Sequence, residues 1–276
     1  MAASINTNVA SMLAMQNLSR TQSELTTTQT RIATGQKVSS AKDNGAIYAI
    51  AQNMRGSSIA LNAVRESLQR GQSSVDVALA AGETISDLLN QMKEKALAGA
   101  DASLNTNSRA AMSADFVSLR DQIAKAVSNA SFNGFNLLKS GAADIAAMAD
   151  ETGTSKITVA AQALHLASAN VTITAAASLG LTTASSAAQL TAVTFSIAKV
   201  SLALAKLGTG SKALSTHLTF VNKLQDAIDA GIGNIVDADL AKESAKIQAL
   251  QTKQQLGFQA LSIANQGPSS LLSLFR

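Results

Sequence analysis

The chain has 276 residues, 46% hydrophobic but only 3% aromatic, with one Tyr, no Trp, no Cys and a formal net charge of +4. That length allows one or two domains with a sizeable core. The missing cysteines exclude a disulfide framework and thiol chemistry, and the dispersed Lys and Arg form no basic run of the kind nucleic-acid binding requires.

Residues 1–19 carry no charged side chain. Ile5, Val9, Met12, Leu18, Leu25 and Ile32 read as one side of a first helix. Gly35, the pair Ser39-Ser40 and Asn44-Gly45 break the chain across residues 33–46. A three- and four-residue spacing then runs through Ile47, Ile50, Met54, Ser57, Leu61, Val64, Leu68, Gly71, Val75, Ala78, Gly82, Ile85, Leu89, Met92, Ala96 and Gly99 without one charge. Such sustained heptads predict a long helix in a coiled-coil-like bundle. Gly71 and Gly82 each cost about 1 kcal/mol relative to Ala, so they mark close approach or local loosening. Residues 101–107 read as a turn, with Thr106 or Asn107 as the cap of the next helix. That helix has the seam Met112, Phe116, Leu119, Ile123, Ala126 and Ala130 and ends at the tight-turn pair Asn133-Gly134.

Residues 139–185 change to Ala, Ser, Thr and Gly with short β-branched pieces, Lys156–Val159 and Val171–Thr174, which predict small hairpins. Helical spacing returns at Leu190, Val193, Ile197, Val200, Leu204 and Leu207 and, after Gly208-Thr209-Gly210, at Leu214, Leu218, Val221, Gln225, Ile228 and Ile232. The C-terminal stretch carries two rows, Leu240, Ile247, Gln254 and Leu261, and Val236, Glu243, Leu250, Gly257, Ala264 and Leu271. Charge stops at Lys253 until Arg276, and the chain closes on Leu271, Leu272, Leu274 and Phe275. Burying those four side chains contributes roughly 6–12 kcal/mol before ordering. Two uncharged amphipathic termini predict a helix pair whose remaining surface is buried against other copies.

The fold expected is mainly α: a long antiparallel helical rod or coiled-coil bundle with paired terminal helices and a small β-hairpin insert. Residues 1–46 with 236–276 form the terminal pair, 47–138 with 186–235 the rod, and 139–185 the insert. The terminal pair and the insert are placed at opposite poles. No basic n-region precedes an apolar core, so no cleaved signal peptide is expected. No stretch of about 20 residues reads as apolar enough to span a bilayer, because Ser, Thr, Gln, Asn and His165 interrupt the uncharged run Ile157–Ala198. His165 and His217 are the only histidines, too few for a metal site. No phosphate loop or nucleophile elbow is present. The expectation is no enzyme and no cofactor.

Several segments resemble the bacterial flagellins, in order: SINTNVASMLAMQNL at the start, RIATGQKVSSAKDNGAIYAIAQNMR after it, SNASFNGFNLL before the insert, and the last forty residues down to the closing Leu274-Phe275-Arg276. The likeness covers about residues 1–140 and 205–276 and is nearest the short alpha-proteobacterial type. It implies a filament subunit for swimming motility. The polymer core would be Ile5, Val9, Met12, Leu18, Leu25 and Ile32 against Leu240, Ile247, Leu250, Leu261, Leu271, Leu274 and Phe275. Rod packing would fall to Ile47, Ile50, Met54, Leu61, Val64, Leu68, Ile85, Leu89, Phe116, Leu119 and Ile123. The resemblance also implies type III export to an extracellular filament, a homopolymer or one mixed with other flagellins. The implied partners are hook-junction and cap proteins and an export chaperone at the C-terminal region, with no nucleic acid and no membrane. Gln91 and Lys93 stand where members sensed by an animal innate immune receptor carry Arg, so weak recognition is expected. A membrane-inserting translocator would need an apolar hairpin, and a hook–filament junction protein would need larger extra domains.

Overall fold

The computed structural model describes residues 7–273, with side chains as far as Gln266. Ile5, Leu274, Phe275 and the side chain of Leu271 lie outside the described residues. The elements run α1 (Val9–Thr34), α2 (Gly45–Gly99), α3 (Thr106–Asn129), β1 (Ile145–Met148), β2 (Lys156–Val159), α4 (Thr183–Val236) and α5 (Leu240–Ser273). The chain divides into two compact units, residues 1–56 with 227–276, and residues 57–226.

The core of the second unit follows the predicted heptads. From Leu61 onward every position of the α2 row is buried, through Leu68, Val75, Ile85, Leu89 and Met92 to Gly99. Nearer the start of the helix the buried line shifts by one residue. Ala51 and Ser58 are buried, whereas Ile50, expected to pack in the rod, is 54% exposed. Ile47 and Met54 are half-buried. A straight α-helix drifts about 20° per heptad against a strict seven-residue repeat, so a row that stays in register from Leu61 to Gly99 is offset by one residue where it is extended back to the start of the helix. Phe116, Leu119 and Ile123 of α3 are buried as expected, followed by Val127 rather than Ala126. From α4, Val193, Val200, Leu207, Leu214 and Val221 complete this core.

Helix ends are closed by side chains. Asn105, not Thr106 or Asn107, caps α3 by accepting the Ser108 N–H at 2.8 Å. Arg109 is buried and donates to the carbonyls of Gly99, Asp101 and Leu104, tying the end of α2 to the turn that follows it. After α3, Asn133 and Gly134 take positive φ of 49° and 81° between Phe132 and Phe135, which exchange backbone hydrogen bonds at 2.8 and 2.9 Å. This is the tight turn that the Asn-Gly pair predicts. Buried Asn136 returns to the helix by donating to the Val127 carbonyl at 2.7 Å.

The insert holds one hairpin. β1 and β2 pair antiparallel, with Ile145 opposite Val159 and Met148 opposite Lys156. Asp150 organises the connecting loop by accepting the Thr152 and Thr154 hydroxyls and the Ser155 N–H. Those bonds, Thr154 first, hold its carboxyl below its ordinary pKa. Val171–Thr174 is not a strand, contrary to expectation. Val171 and Ile173 are buried, but the Thr172 N–H donates to Ser196 Oγ of α4 at 3.1 Å instead of to a second strand. Alternating burial therefore arises here from packing on a helix.

The hairpin seats on glycines. A Cβ at Gly71 would stand 3.3 Å from Ala147 Cβ and 3.4 Å from Ile145 Cγ2. A Cβ at Gly210 would stand 2.6 Å from Val159 Cγ1. The Gly208-Thr209-Gly210 stretch does not interrupt α4, which is one helix across it; Gly210 admits the second strand. His217 adds a hydrogen bond at 2.7 Å to the Ala149 carbonyl.

Gly210→Ala gains about 1 kcal/mol of helix propensity yet is expected to lower the thermal midpoint, because a β-branched neighbour cannot step aside. Val159→Ala in the same chain should recover most of the loss. A thermal-melt double-mutant cycle showing additive effects would refute the contact.

Candidate assembly interface

The first unit is organised by α1 and α5. Asn8 opens α1 by accepting the Ser11 N–H at 3.0 Å, and Gly35 closes it at φ 70°. Asp239 opens α5 by accepting the N–H groups of Ala241 and Lys242. Between the two helix ends, the Lys37 N–H donates to the Val236 carbonyl at 2.7 Å and the Ala238 N–H to the Gly35 carbonyl at 2.9 Å. The loop beyond is gathered on Asp43, which accepts the N–H and hydroxyl groups of Ser39 and Ser40. The Ser40 N–H is the chief reason its carboxyl lies below its ordinary pKa.

The helices run antiparallel, Asn8 lying beside Ala264 and Arg31 beside Glu243. The α1 face of the seam is Ala14, Leu18, Thr21, Leu25, Thr28 and Ile32; the α5 face is Ile247, Leu250, Gln254, Gly257, Leu261 and Ala264. Only Thr21, Leu25, Thr28 and Leu250 of these are fully buried. The described residues of both rows predicted for the C-terminal stretch thus face the seam, apart from Leu240, which is exposed; the side chain of Leu271 lies outside the described residues.

The first-helix expectation needs correction. Leu18, Leu25 and Ile32 lie in the seam, but Val9 is 73% and Met12 65% exposed. At about 100° per residue, Val9 lies on the opposite side of the helix from Leu18, so the six positions never formed one face. Leu13 and Met15 of α1 and Leu256, Phe258 and Ile263 of α5 are also exposed. Many large apolar side chains thus point outward, while Ala14, Thr21, Thr28, Gln254, Gly257 and Ala264 occupy half of the seam.

Sequence reading missed the polar contacts across the pair. Asn8 Nδ2 donates to the Ala264 carbonyl at 2.7 Å, Ser11 Oγ to Asn265 at 2.8 Å, and Gln254 Nε2 to Gln22 Oε1 at 2.5 Å. Arg31 Nη1 pairs with Glu243 Oε1 at 3.2 Å. The available signal was Glu243 itself, the one carboxylate inside an otherwise uncharged row.

Among the described residues, no three His, Asp or Glu gather as a metal site. A cavity of about 330 Å³ in the second unit, bounded by Arg70, Gly71, Phe132, Phe135, Asp144 and Ile145, holds no constellation of reactive groups. One sequence expectation is overturned here. α4 contains an 18-residue window of mean hydropathy 1.5, long and apolar enough by composition to cross a bilayer, with 28% of it buried. Its apolar residues divide between the core row and an outward row that includes Phe195 and Leu202, both exposed.

The chain matches the bacterial flagellin N-terminal helical region over residues 5–143 and the bacterial flagellin C-terminal helical region over residues 190–275. It is 56% identical over 273 residues to flagellin FljK of Caulobacter vibrioides, covering 99% of this chain and 98% of that relative. The chain belongs to the bacterial flagellins. A flagellin of Brucella melitensis is 37% identical over 287 residues, covering 99% of both chains. The crystal structure of Bacillus cereus flagellin superposes with a TM-score of 0.50 at 21% identity, over 56% of this chain and 88% of that one. A flagellar hook-associated protein of Vibrio parahaemolyticus reaches 0.59 at 15% identity, over 71% of this chain and all of that one. Both likenesses concern the fold. As a flagellin, the chain is a structural subunit of the flagellar filament, an extracellular polymer that serves motility.

The lowered pKa of Asp43 makes the loop after α1 sensitive to acid. A carboxyl whose folded-state pKa is depressed stabilises the fold above the ordinary value, about 3.9, and ceases to do so as pH falls through the folded-state value. Asp43→Asn in this flagellin should therefore be nicked by protease between Gly35 and Gly45 at neutral pH, and the native chain should be nicked there only in acid. Equal resistance of both chains at neutral pH would refute the anchor.

Proposed function

We propose that residues 1–46 with 236–276 form the inner layer of the filament. Residues 47–138 with 186–235 form the rod layer around it, and 139–185 faces outward. The observation that carries this is the orientation of apolar side chains on α1 and α5. Val9, Met12 and Leu13, with Leu240, Leu256, Phe258 and Ile263, have no cover in a single copy, and residues 254–275 carry no charge to solvate them. Large exposed apolar patches are interaction sites or liabilities, and each such side chain contributes about 1.5–3 kcal/mol when neighbouring copies bury it. Phe195 and Leu202 of α4 are the matching outward residues of the rod layer.

The mechanism is mechanical rather than catalytic. The terminal pair is held by a narrow seam with only Thr21, Leu25, Thr28 and Leu250 fully buried and by single polar contacts, and isolated helices are marginal in water. Burial between copies therefore completes their folding, so order and assembly are coupled. The same weakness keeps a free subunit compatible with export through the type III apparatus and the filament channel. The family resemblance adds an export chaperone on the C-terminal region, a cap at the growing tip, and hook-junction proteins at the base.

Two experiments test this. The full-length chain added to short filament seeds should give long tubes by negative-stain electron microscopy, and a chain without residues 1–32 and 236–276 should give none. Growth of the truncated chain would sink the core assignment. Soluble full-length chain that co-floats with lipid vesicles instead would favour a membrane-active reading of α4. Separately, Leu256→Glu with Phe258→Glu alters only exposed positions. It should leave the circular dichroism of the free subunit unchanged while cutting the seeded elongation rate by a factor of about ten or more. Normal elongation would show that this face is not an interface.

A further inference from the structure

We propose that Arg31 and Glu243 are positioning residues that select which face of α5 meets α1, and so decide which apolar residues are left for assembly. The inference deepens the inner-layer reading above and rests on it.

Hydrophobic patterning cannot make this choice. Beyond Lys253 the helix has no charged residue up to Phe275, and its apolar side chains lie on every side. Leu261 is in the seam while Leu256, Phe258 and Ile263 are exposed. Turning α5 by one residue, about 100°, would bring Phe258 or Leu256 to the place of Gly257 at little loss of apolar burial. The backbone links between Gly35 and Ala238 and between Lys37 and Val236 fix where α1 ends and α5 begins but not the rotation of α5 beyond its cap.

Arg31–Glu243 is the one ion pair across α1 and α5 among the described residues, and it is largely buried, with side chains 28% and 12% exposed. It is also incomplete. Arg31 Nε and Glu243 Oε2 are buried with no hydrogen-bond partner, whereas a guanidinium can grip a carboxylate through two parallel bonds. A half-made pair adds little stability. Its leverage is against the alternatives, since any other rotation leaves a buried charge with nothing opposite it. A single buried polar pair that specifies alignment is the best-attested use of such groups.

The cysteine-free chain permits a direct reading. A Cβ at Gly257 would stand 3.9 Å from Leu18 Cβ, within the span of a disulfide. Full-length chains carrying Leu18→Cys with either Gly257→Cys or Phe258→Cys are assembled on seeds and mildly oxidised. The ratio of 18–257 to 18–258 cross-link should be high with the native pair. It should fall about tenfold, the weight of a charge-assisted contact, in Arg31→Leu and in Glu243→Leu, and recover in Arg31→Glu with Glu243→Arg. If the single variants add no length to seeds, the exchanged pair still decides, because it must both elongate and cross-link at 18–257. A ratio indifferent to the single variants, or an exchanged pair that behaves like them, overturns the proposal. Failure of the native chain to elongate seeds at all would instead sink the inner-layer reading.

Discussion

The contact between α1 and α5 joins the two ends of the chain through Ala14, Leu18, Thr21, Leu25 and Thr28 on one side and Ile247, Leu250, Gln254, Gly257 and Leu261 on the other. Half of these positions are Ala, Gly, Thr or Gln, and of the ten only Thr21, Leu25, Thr28 and Leu250 are fully buried, so the contact orients the helices without burying most of what they carry. That leaves Val9, Met12, Leu256, Phe258 and Ile263 facing out. A better-packed pair would be a more stable monomer and a poorer polymer subunit. Apolar surface that finds no partner within the chain is what makes association favourable.

The unit of residues 57–226 solves the opposite problem. Its α2 row is buried without a gap from Leu61 to Gly99, and its helix ends are satisfied by Asn105, Arg109 and Asn136. Interiors of this kind tolerate changes of even one methyl group poorly. Glycines mark where elements come closest: Gly71 under β1, Gly210 under β2, and Gly99, where a Cβ would stand 3.0 Å from Ser186 Oγ. The composition of the whole chain, 3% aromatic, follows from such close helix and strand approach, which leaves little room for large rings. The chain thus carries one well-packed unit and one terminal pair whose apolar residues are largely left exposed.

Much of this was legible because helix periodicity is local and repeats. The α2, α3 and α4 seams were read within one residue, and the Asn133-Gly134 turn was read at its true position. Errors fell where geometry accumulates or where the partner is distant. The α2 row was one residue off at Ile50, in the first turns of the helix. Val9 and Met12 were grouped with Leu18 although helix rotation separates them. Val171–Thr174 was read as a strand because alternating burial on a helix and in a sheet look alike. α4 carries more apolar residues than its own core needs, and its outward row raised its hydropathy to the range of a membrane span.

The sequence by itself determined the order of helices, the position of the turns and the uncharged character of both termini, because spacing, capping residues and charge act over a few neighbouring positions. Tertiary structure alone decided which side of α1 and of α5 meet, that Gly210 receives Val159, that Arg109 closes α2 from ten residues away, and that Arg31 stands opposite Glu243 across 212 residues of chain. These depend on where distant segments arrive in space. A helix apolar on every side has no preferred face until a specific partner supplies one.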